Sequence, residues 1–215
     1  MKRRIVLLGP PASGKGTQAD LIKSNMGFAT ASPGAMLREE KAAATELGRE
    51  ADVLTSQGRL VSDEIINSVV SAWLSRQPGD TFVFDGYPRT VGQGDALNAM
   101  LIAREIPLNA AIFLDVNVET LHQRVARRMN CMNCGNIVSA GLHIPDGETK
   151  CPRCSSVLSR RRDDTPETLQ ARLLEYEEKT APLIAYYENR NLLYRIEASR
   201  TPELVFTDIR QILNT

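Results

Sequence analysis

The string Gly9-Pro10-Pro11-Ala12-Ser13-Gly14-Lys15-Gly16-Thr17 carries the sharpest chemical signal in the chain. Glycines let a backbone turn tightly and aim successive N–H groups at phosphate oxygens. A helix opening behind such a turn adds its positive N-terminal end. Lys15 is then placed to meet the β- and γ-phosphates of a nucleotide, and the Thr17 hydroxyl to face phosphate or metal. A Gly/Pro-rich turn that merely contains a lysine is the plainer alternative. The context favours the phosphate loop, because an apolar run, Ile5–Leu8, precedes it and a helical pattern follows.

A second constellation is made of sulfur. Cys131-x-x-Cys134 and Cys151-x-x-Cys154 stand 16 residues apart, within the zinc-ribbon spacing of two such pairs. Four thiolates close a tetrahedral Zn²⁺ site with no open position, so the metal is expected to be structural. Gly135 after the first pair and Pro152 inside the second suit knuckle turns. Iron on four thiolates is a chemically allowed substitute. Free or disulfide-bonded cysteines are the alternative, and a reducing cytosol disfavours the disulfides. A segment of about 35 residues cannot build its own core, and a bound metal can replace one.

The elements that must position these groups follow an α/β rhythm. Ile5–Leu8, Thr81–Phe84 and Ala110–Leu114 are apolar without alternation and predict fully buried strands. Residues 28–31 and 192–196 are two further candidates. Helices are predicted over 15–25, 63–74, 93–103, 118–128 and 166–188, with Ala19, Ile22 and Met26 on one face of the first and Gly27 as its stop. Thr165-Pro166-Glu167 and Thr201-Pro202-Glu203 share one start signal: a Thr cap, Pro at the first helical position, then an acid facing the dipole. Alternating strands and helices predict a parallel sheet with helices on both faces. Residues 32–62 and 129–163 break the rhythm and are expected to be insertions into a core of residues 1–31, 63–128 and 164–215.

Composition bounds the function. The 215 residues hold 26 Lys+Arg and 26 Asp+Glu, which argues against a protein that coats nucleic acid or a polybasic membrane binder. Hydrophobic residues at 42% and charged residues at 24% are globular values, and aromatics at 5% predict an aliphatic core. Met1-Lys2-Arg3-Arg4 mimics the start of a signal peptide. The apolar run behind it stops at Gly9-Pro10, short of the roughly 7–15 residues such a signal needs and the about 20 of a spanning helix. A cytoplasmic protein without membrane partners is expected. Neutrality also hides a division: residues 124–162 carry eight basic side chains against two acidic ones, and the remainder is net acidic by six.

The Gly14-Lys15-Gly16-Thr17 form departs from the common phosphate loop, in which Ser or Thr directly follows the lysine. It resembles the nucleoside monophosphate kinases. Asp85-Gly86-Tyr87-Pro88-Arg89-Thr90 matches the D-G-[FY]-P-R-T signature of one branch. Ser32-Pro33-Gly34-Ala35-Met36-Leu37-Arg38 is similar to its monophosphate-binding segment, usually S-T-G-D-[ML]-L-R. Arg59-Leu60-Val61, Arg161-Arg162-Asp163-Asp164 followed by Arg172, and Thr180-Ala181-Pro182-Leu183-Ile184 match further strings in the same order. Through essentially the whole chain the sequence resembles the adenylate kinase family, in its long form with a zinc-bearing lid.

That resemblance implies a P-loop three-layer α/β fold with a small helical AMP-binding insertion at 32–62 and a zinc-ribbon-like lid at 129–163. It implies reversible Mg²⁺-dependent transfer, ATP + AMP giving two ADP, by a monomer whose partners are free nucleotides. Ala12, Ser13, Gly14, Lys15, Gly16 and Thr17 would cradle the ATP phosphates. Arg124 would lie against the ATP adenine, with Ile137 and Val138 beside it and the backbone near Arg200 touching the base. Pro33, Arg38, Arg59, Leu60, Val61, Gly86, Tyr87, Pro88, Arg89 and Gln93 would hold AMP, Gln93 reading the base edge. Lys15, Arg89, Arg128, Arg161 and Arg172 would carry the chemistry, the last two also reaching AMP, and Asp85 would hold Mg²⁺ through water. Cys131, Cys134, Cys151 and Cys154 would take the zinc. Phosphoryl transfer needs positioning and cations around developing charge, and arginine grips phosphate with two donors at once. Solvated or acid-paired arginines are the plainer reading of each position taken alone. His122 and His143 are assigned no role.

Four departures from the family pattern stand out: Ala12 for a loop Gly, Pro33 for a Thr, Ala35 for an Asp and Ala198 for a Gly. With Ala at 12, the turn there is expected to avoid a conformation that only glycine can adopt. Pro33 removes a hydroxyl and an N–H. AMP remains the expected acceptor, because Gln93 and the arginines are kept. A monophosphate kinase with another donor, such as GTP, is the near alternative. A zinc-ribbon nucleic-acid-binding NTPase is the distant one, and the scarcity of aromatic stacking platforms speaks against it. A non-catalytic nucleotide sensor is a third, disfavoured by Lys15, Asp85 and the arginines.

Overall fold

The computed structural model describes residues 1–56, 61–141, 144–160 and 164–215, apart from the side chains at 35, 38, 41, 51, 52 and 54–56. In chain order the elements are β1 (Arg4–Leu8), α1 (Lys15–Met26), β2 (Ala29–Ala31), α2 (Pro33–Ala42), α3 (Glu46–Ser56), α4 (Asp63–Arg76), β3 (Phe82–Asp85), α5 (Val91–Ile102) and β4 (Ala110–Asp115). There follow α6 (Val118–Arg127), β5 (Arg128–Cys131), β6 (Ile137–Ser139), β7 (Leu158–Ser159), α7 (Pro166–Glu175), a π-helical turn (Tyr176–Thr180), α8 (Pro182–Glu188), β8 (Leu193–Glu197) and α9 (Pro202–Asn214).

Five strands form one parallel sheet in the order β2-β3-β1-β4-β8. Successive side chains of a strand point to opposite faces, and here both faces are covered. Ile5 and Leu7 of β1 join one cluster with Ile22, Leu121, Leu169 and Ile209. Val6 and Leu8 join the other with Val70, Trp73, Leu97, Leu101 and Leu183. Double burial is why the strands read as unbroken apolar runs. The expected aliphatic core is more nearly realised on the first face, where Phe28 is buried among aliphatic side chains. Trp73, Phe82, Phe84 and Tyr87 pack together on the second, with ring centroids 5.3–6.0 Å apart, so most of the buried aromatics are pooled there.

Helix ends follow local chemistry. Gly27 closes α1 in the left-handed region at φ 73, its N–H reaching Lys23 O at 3.0 Å. Thr165 caps α7 by accepting from Thr168 N. Thr201, predicted to do the same for α9, makes no side-chain cap bond, and Pro202 alone marks that start. The helix predicted over 166–188 is interrupted. Pro182 has no N–H to give and its ring crowds the carbonyl four residues back. The chain answers with the π turn, in which Ala181 N reaches back five residues to Tyr176 O at 2.8 Å.

A second, antiparallel sheet, β6-β5-β7, carries the cysteines. Its small core is Cys131, Val138, Ile144, Cys151 and Leu158. Among the described residues no helix is long and apolar enough to cross a membrane.

Candidate active site

The phosphate loop leaves β1 at Gly9, where φ is 147 and a Cβ would lie 2.7 Å from Ser13 Oγ and 2.9 Å from Leu114 O. No other residue fits there. Ala12 turns through the left-handed region, at φ 64, and not through a conformation restricted to glycine. That basin is open to L-residues, at a cost that glycine escapes. The glycine between Lys15 and Thr17 also has a cause, because a Cβ at Gly16 would stand 3.3 Å from an Asp85 carboxylate oxygen. The odd Gly-Lys-Gly-Thr spacing thus lets the first turn of α1 approach the end of β3.

Lys15 Nζ donates to Gly9 O at 2.7 Å, to Pro10 O at 2.8 Å and to Ser13 Oγ at 3.3 Å. Burial lowers its pKa from 10.5 to about 8; Asp85 opposes that shift and Arg89 adds to it. Asp85, at the carboxyl end of β3, is pushed up by burial against the pull of Lys15 and Arg89. Strand ends of open α/β sheets are where ligands bind.

A cleft of about 210 Å³ opens over the loop, walled by Ala12 through Thr17, Asp85, Arg124, Arg128, Ile137, Val138 and Arg200. Arg124 is fixed across its floor, donating to Ser13 O at 3.0 Å, Ala198 O at 2.6 Å and Arg200 O at 3.4 Å. Burial lowers its pKa, with Glu197 opposing. Arg128 makes a two-pronged ion pair with Asp164, the Nε–Oδ2 arm at 2.7 Å, and the Asp164 side chain is 2% exposed. Asp164 received no role from sequence. Its signal was membership of the matched Arg161-Arg162-Asp163-Asp164 string, which does not show its partner.

Directly after Asp85, at the same end of β3, Gly86 turns at φ 72 and its carbonyl accepts from Arg89 Nε at 2.9 Å, leaving Arg89 exposed. Tyr87 and Pro88 are buried, and the Tyr87 hydroxyl donates to Asn67 Oδ1 at 2.7 Å. Gln93 is buried in the first turns of α5, its Oε1 accepting from Arg89 N at 2.7 Å and its Nε2 donating to Asp63 Oδ1 at 2.6 Å. Asp63 was legible only as the start of a helix. Pro33 is the first residue of α2, where a missing N–H costs the helix nothing. Val61 is half-buried just ahead of α4 and Arg172 lies on α7. Arg59, Leu60, Arg161 and the Arg38 side chain lie outside the described residues.

The four cysteines converge. Cys131 and Cys154 sulfurs are 3.4 Å apart, Cys134 and Cys151 3.6 Å, and all four lie within 4.8 Å of one another. Four sulfurs held tetrahedrally at about 2.3 Å from a zinc ion would stand about 3.8 Å apart, so the donor set fits such an ion. The two knuckles repeat one turn: Gly135 N donates to Cys131 O at 2.9 Å and Ser155 N to Cys151 O at 2.8 Å. Hydrogen bonds from Ser156, then Asn133, draw the Cys154 thiol down to about 5. The cluster can hold a metal ion.

Residues 7–192 match the family model described as Adenylate kinase. A protein named "Adenylate kinase" from Nitrosococcus oceani is 39% identical over 214 residues, covering 99% of both chains. Another of that name from Rhizobium rhizogenes is 41% identical over 218 residues, covering 98% of this chain and 99% of its own. A third, from Archaeoglobus fulgidus, is 36% identical and covers 97% of each. Near-complete coverage and a phosphate loop set against Asp85 and Arg89 make this chain a member of the adenylate kinase family, whose enzymes are phosphotransferases.

Proposed function

We propose that this protein catalyses the reversible transfer of the γ-phosphoryl group of Mg·ATP to AMP, giving two ADP. The observation that carries the reading is the single cleft that gathers the phosphate loop, Asp85, Arg124, Arg128 and the β6 residues Ile137 and Val138. Loop amides from Ala12 to Thr17 cradle the donor phosphates, and Lys15 leaves its loop carbonyls to meet them. Arg124, already locked in one plane, lies against the donor adenine, with Ile137, Val138 and the backbone near Arg200 around it. Thr17 and Asp85 are the residues that would hold Mg²⁺, Asp85 through water, and the ion supplies charge neutralisation at the phosphates.

On the acceptor side, Pro33, Arg38, Arg59–Val61, Gly86–Arg89 and Gln93 hold AMP, with Gln93 against its base. Arg89, Arg128, Arg161 and Arg172 enclose the transferring group, where fixed positive charge counts most. Residues 32–62 act as the acceptor-binding insertion and 129–163 as a lid on the core of 1–31, 63–128 and 164–215. The cysteine cluster takes a structural Zn²⁺ that stiffens the lid. Balanced charge and scarce aromatics support free nucleotides, rather than nucleic acid or membrane, as partners of a cytoplasmic monomer.

Steady-state phosphotransfer across ATP and GTP as donors and AMP, GMP, CMP and UMP as acceptors, with and without Mg²⁺, tests this. Turnover is expected to be fastest with ATP and AMP and to require Mg²⁺. Faster turnover of another acceptor contradicts the assignment.

A further inference from the structure

Gln93 is 5% exposed, and two neighbours hold its amide. Its Oε1 accepts from the Arg89 backbone N–H at 2.7 Å, and its Nε2 donates to Asp63 Oδ1 at 2.6 Å. The Asp63 partner comes from another helix, 30 residues earlier. Its second oxygen accepts from the Thr90 hydroxyl at 2.8 Å, and that hydroxyl oxygen in turn accepts from Gln93 N at 3.1 Å. Both carboxylate oxygens of Asp63 are therefore engaged at the start of α5.

The chemistry of the two clamps is opposite and exclusive. A carboxylate only accepts hydrogen bonds, and a backbone N–H only donates them. Turning the amide over would set oxygen against oxygen at Asp63 and N–H against N–H at Arg89. Either clash leaves buried polar groups unpaired. The amide is thus held in one of its two orientations. It has two N–H groups and two oxygen lone pairs. The clamps take one of each, and one of each remains in a fixed place.

We infer that Asp63 is a positioning residue that, through Gln93, sets the acceptor base to adenine over hypoxanthine or guanine. The inference rests on the proposed reading of Gln93 as the contact to the acceptor base. Adenine offers an amino donor beside a ring-nitrogen acceptor, which a glutamine amide meets with one oxygen and one N–H. Hypoxanthine and guanine carry a carbonyl acceptor where adenine has the amino group. On the N1 edge they also carry a ring N–H where adenine has an acceptor, so there they demand the amide turned over. Asp63 opposes that turn together with the Arg89 N–H.

The test compares kcat/KM for AMP with that for IMP in the full-length enzyme, as wild type, Asp63→Asn, Gln93→Leu and the double variant. Asparagine keeps the shape of Asp63 but offers an N–H as well as an oxygen, so it lifts the lock at position 63 and leaves only the Arg89 N–H opposing the turn. Asp63→Asn is expected to lower the AMP:IMP ratio about tenfold, chiefly by raising kcat/KM for IMP. Gln93→Leu is expected to lower the ratio too, and Asp63→Asn should add nothing once Gln93 is gone. Asp63→Ser serves as a second variant, with thermal melting confirming that each is folded. A wild-type ratio in both Asp63 variants, beside a reduced ratio in Gln93→Leu, overturns the role of Asp63. A wild-type ratio in Gln93→Leu removes the base contact itself, and the inference with it.

Discussion

Lys15 shows how far a single residue carries the account. Its ammonium sits buried on two carbonyls and a hydroxyl, and its pKa falls from 10.5 to about 8. In that window the folded protein binds fewer protons at this group than the unfolded chain, so its contribution to stability rises with pH between about 8 and 10.5. A bound polyphosphate favours the charged lysine and reverses the shift. Nucleotide binding at a pH just above 8 should therefore take up a proton, seen by calorimetry as a binding enthalpy that depends on the buffer's ionisation enthalpy. Identical enthalpies in all buffers contradict this. Ala12 makes a second residue-scale prediction. Its φ of 64 is left-handed, so Ala12→Gly should stabilise the protein by up to about 1 kcal/mol, the relief of strain exceeding the added chain entropy. Chemical denaturation showing a loss of stability would contradict it. The types and spacing of Lys15, Asp85 and the cysteines were legible because each motif is local. Asp63 with Gln93 and Asp164 with Arg128 were not, because each pair joins residues 30 or 36 positions apart and no local pattern marks the partner.

At the scale of elements, buried parallel strands announce themselves through unbroken apolar runs, and all five strands of the main sheet were foreseen. The π turn between α7 and α8 was not. The helical period runs through residues 166–188, and only the backbone demand of Pro182 widens it. Thr201 makes no cap bond although the same Thr-Pro-Glu string is capped at Thr165, so the string marks a helix start without fixing its cap. The three-stranded sheet of β5, β6 and β7 has a core of five buried residues, two of them cysteines. Such a unit depends on whatever the four sulfurs bind. Removing the metal by chelation, or replacing Cys134 by Ser, should lower the first unfolding transition by roughly 5 °C or more. Calorimetry showing an unchanged transition after verified metal removal contradicts a structural ion.

Across the whole molecule, zero net charge conceals a basic segment, residues 124–162, opposite an acidic remainder. Arg124 and Arg128 of that segment wall the cleft above the phosphate loop. A small polyanion entering that cleft would meet local positive charge. The fold supplies the rest: β1 delivers the loop, β3 delivers Asp85 with Arg89 on the turn behind it, and α6 and the start of β5 deliver Arg124 and Arg128. The central claim is phosphoryl transfer between two nucleotides rather than to water. Purified protein with Mg²⁺ and equimolar ATP and AMP, followed by separation of the nucleotides, measures it directly. Two ADP are expected for each ATP consumed, dependent on AMP and free of inorganic phosphate. ATP loss that proceeds without AMP and releases inorganic phosphate would contradict it.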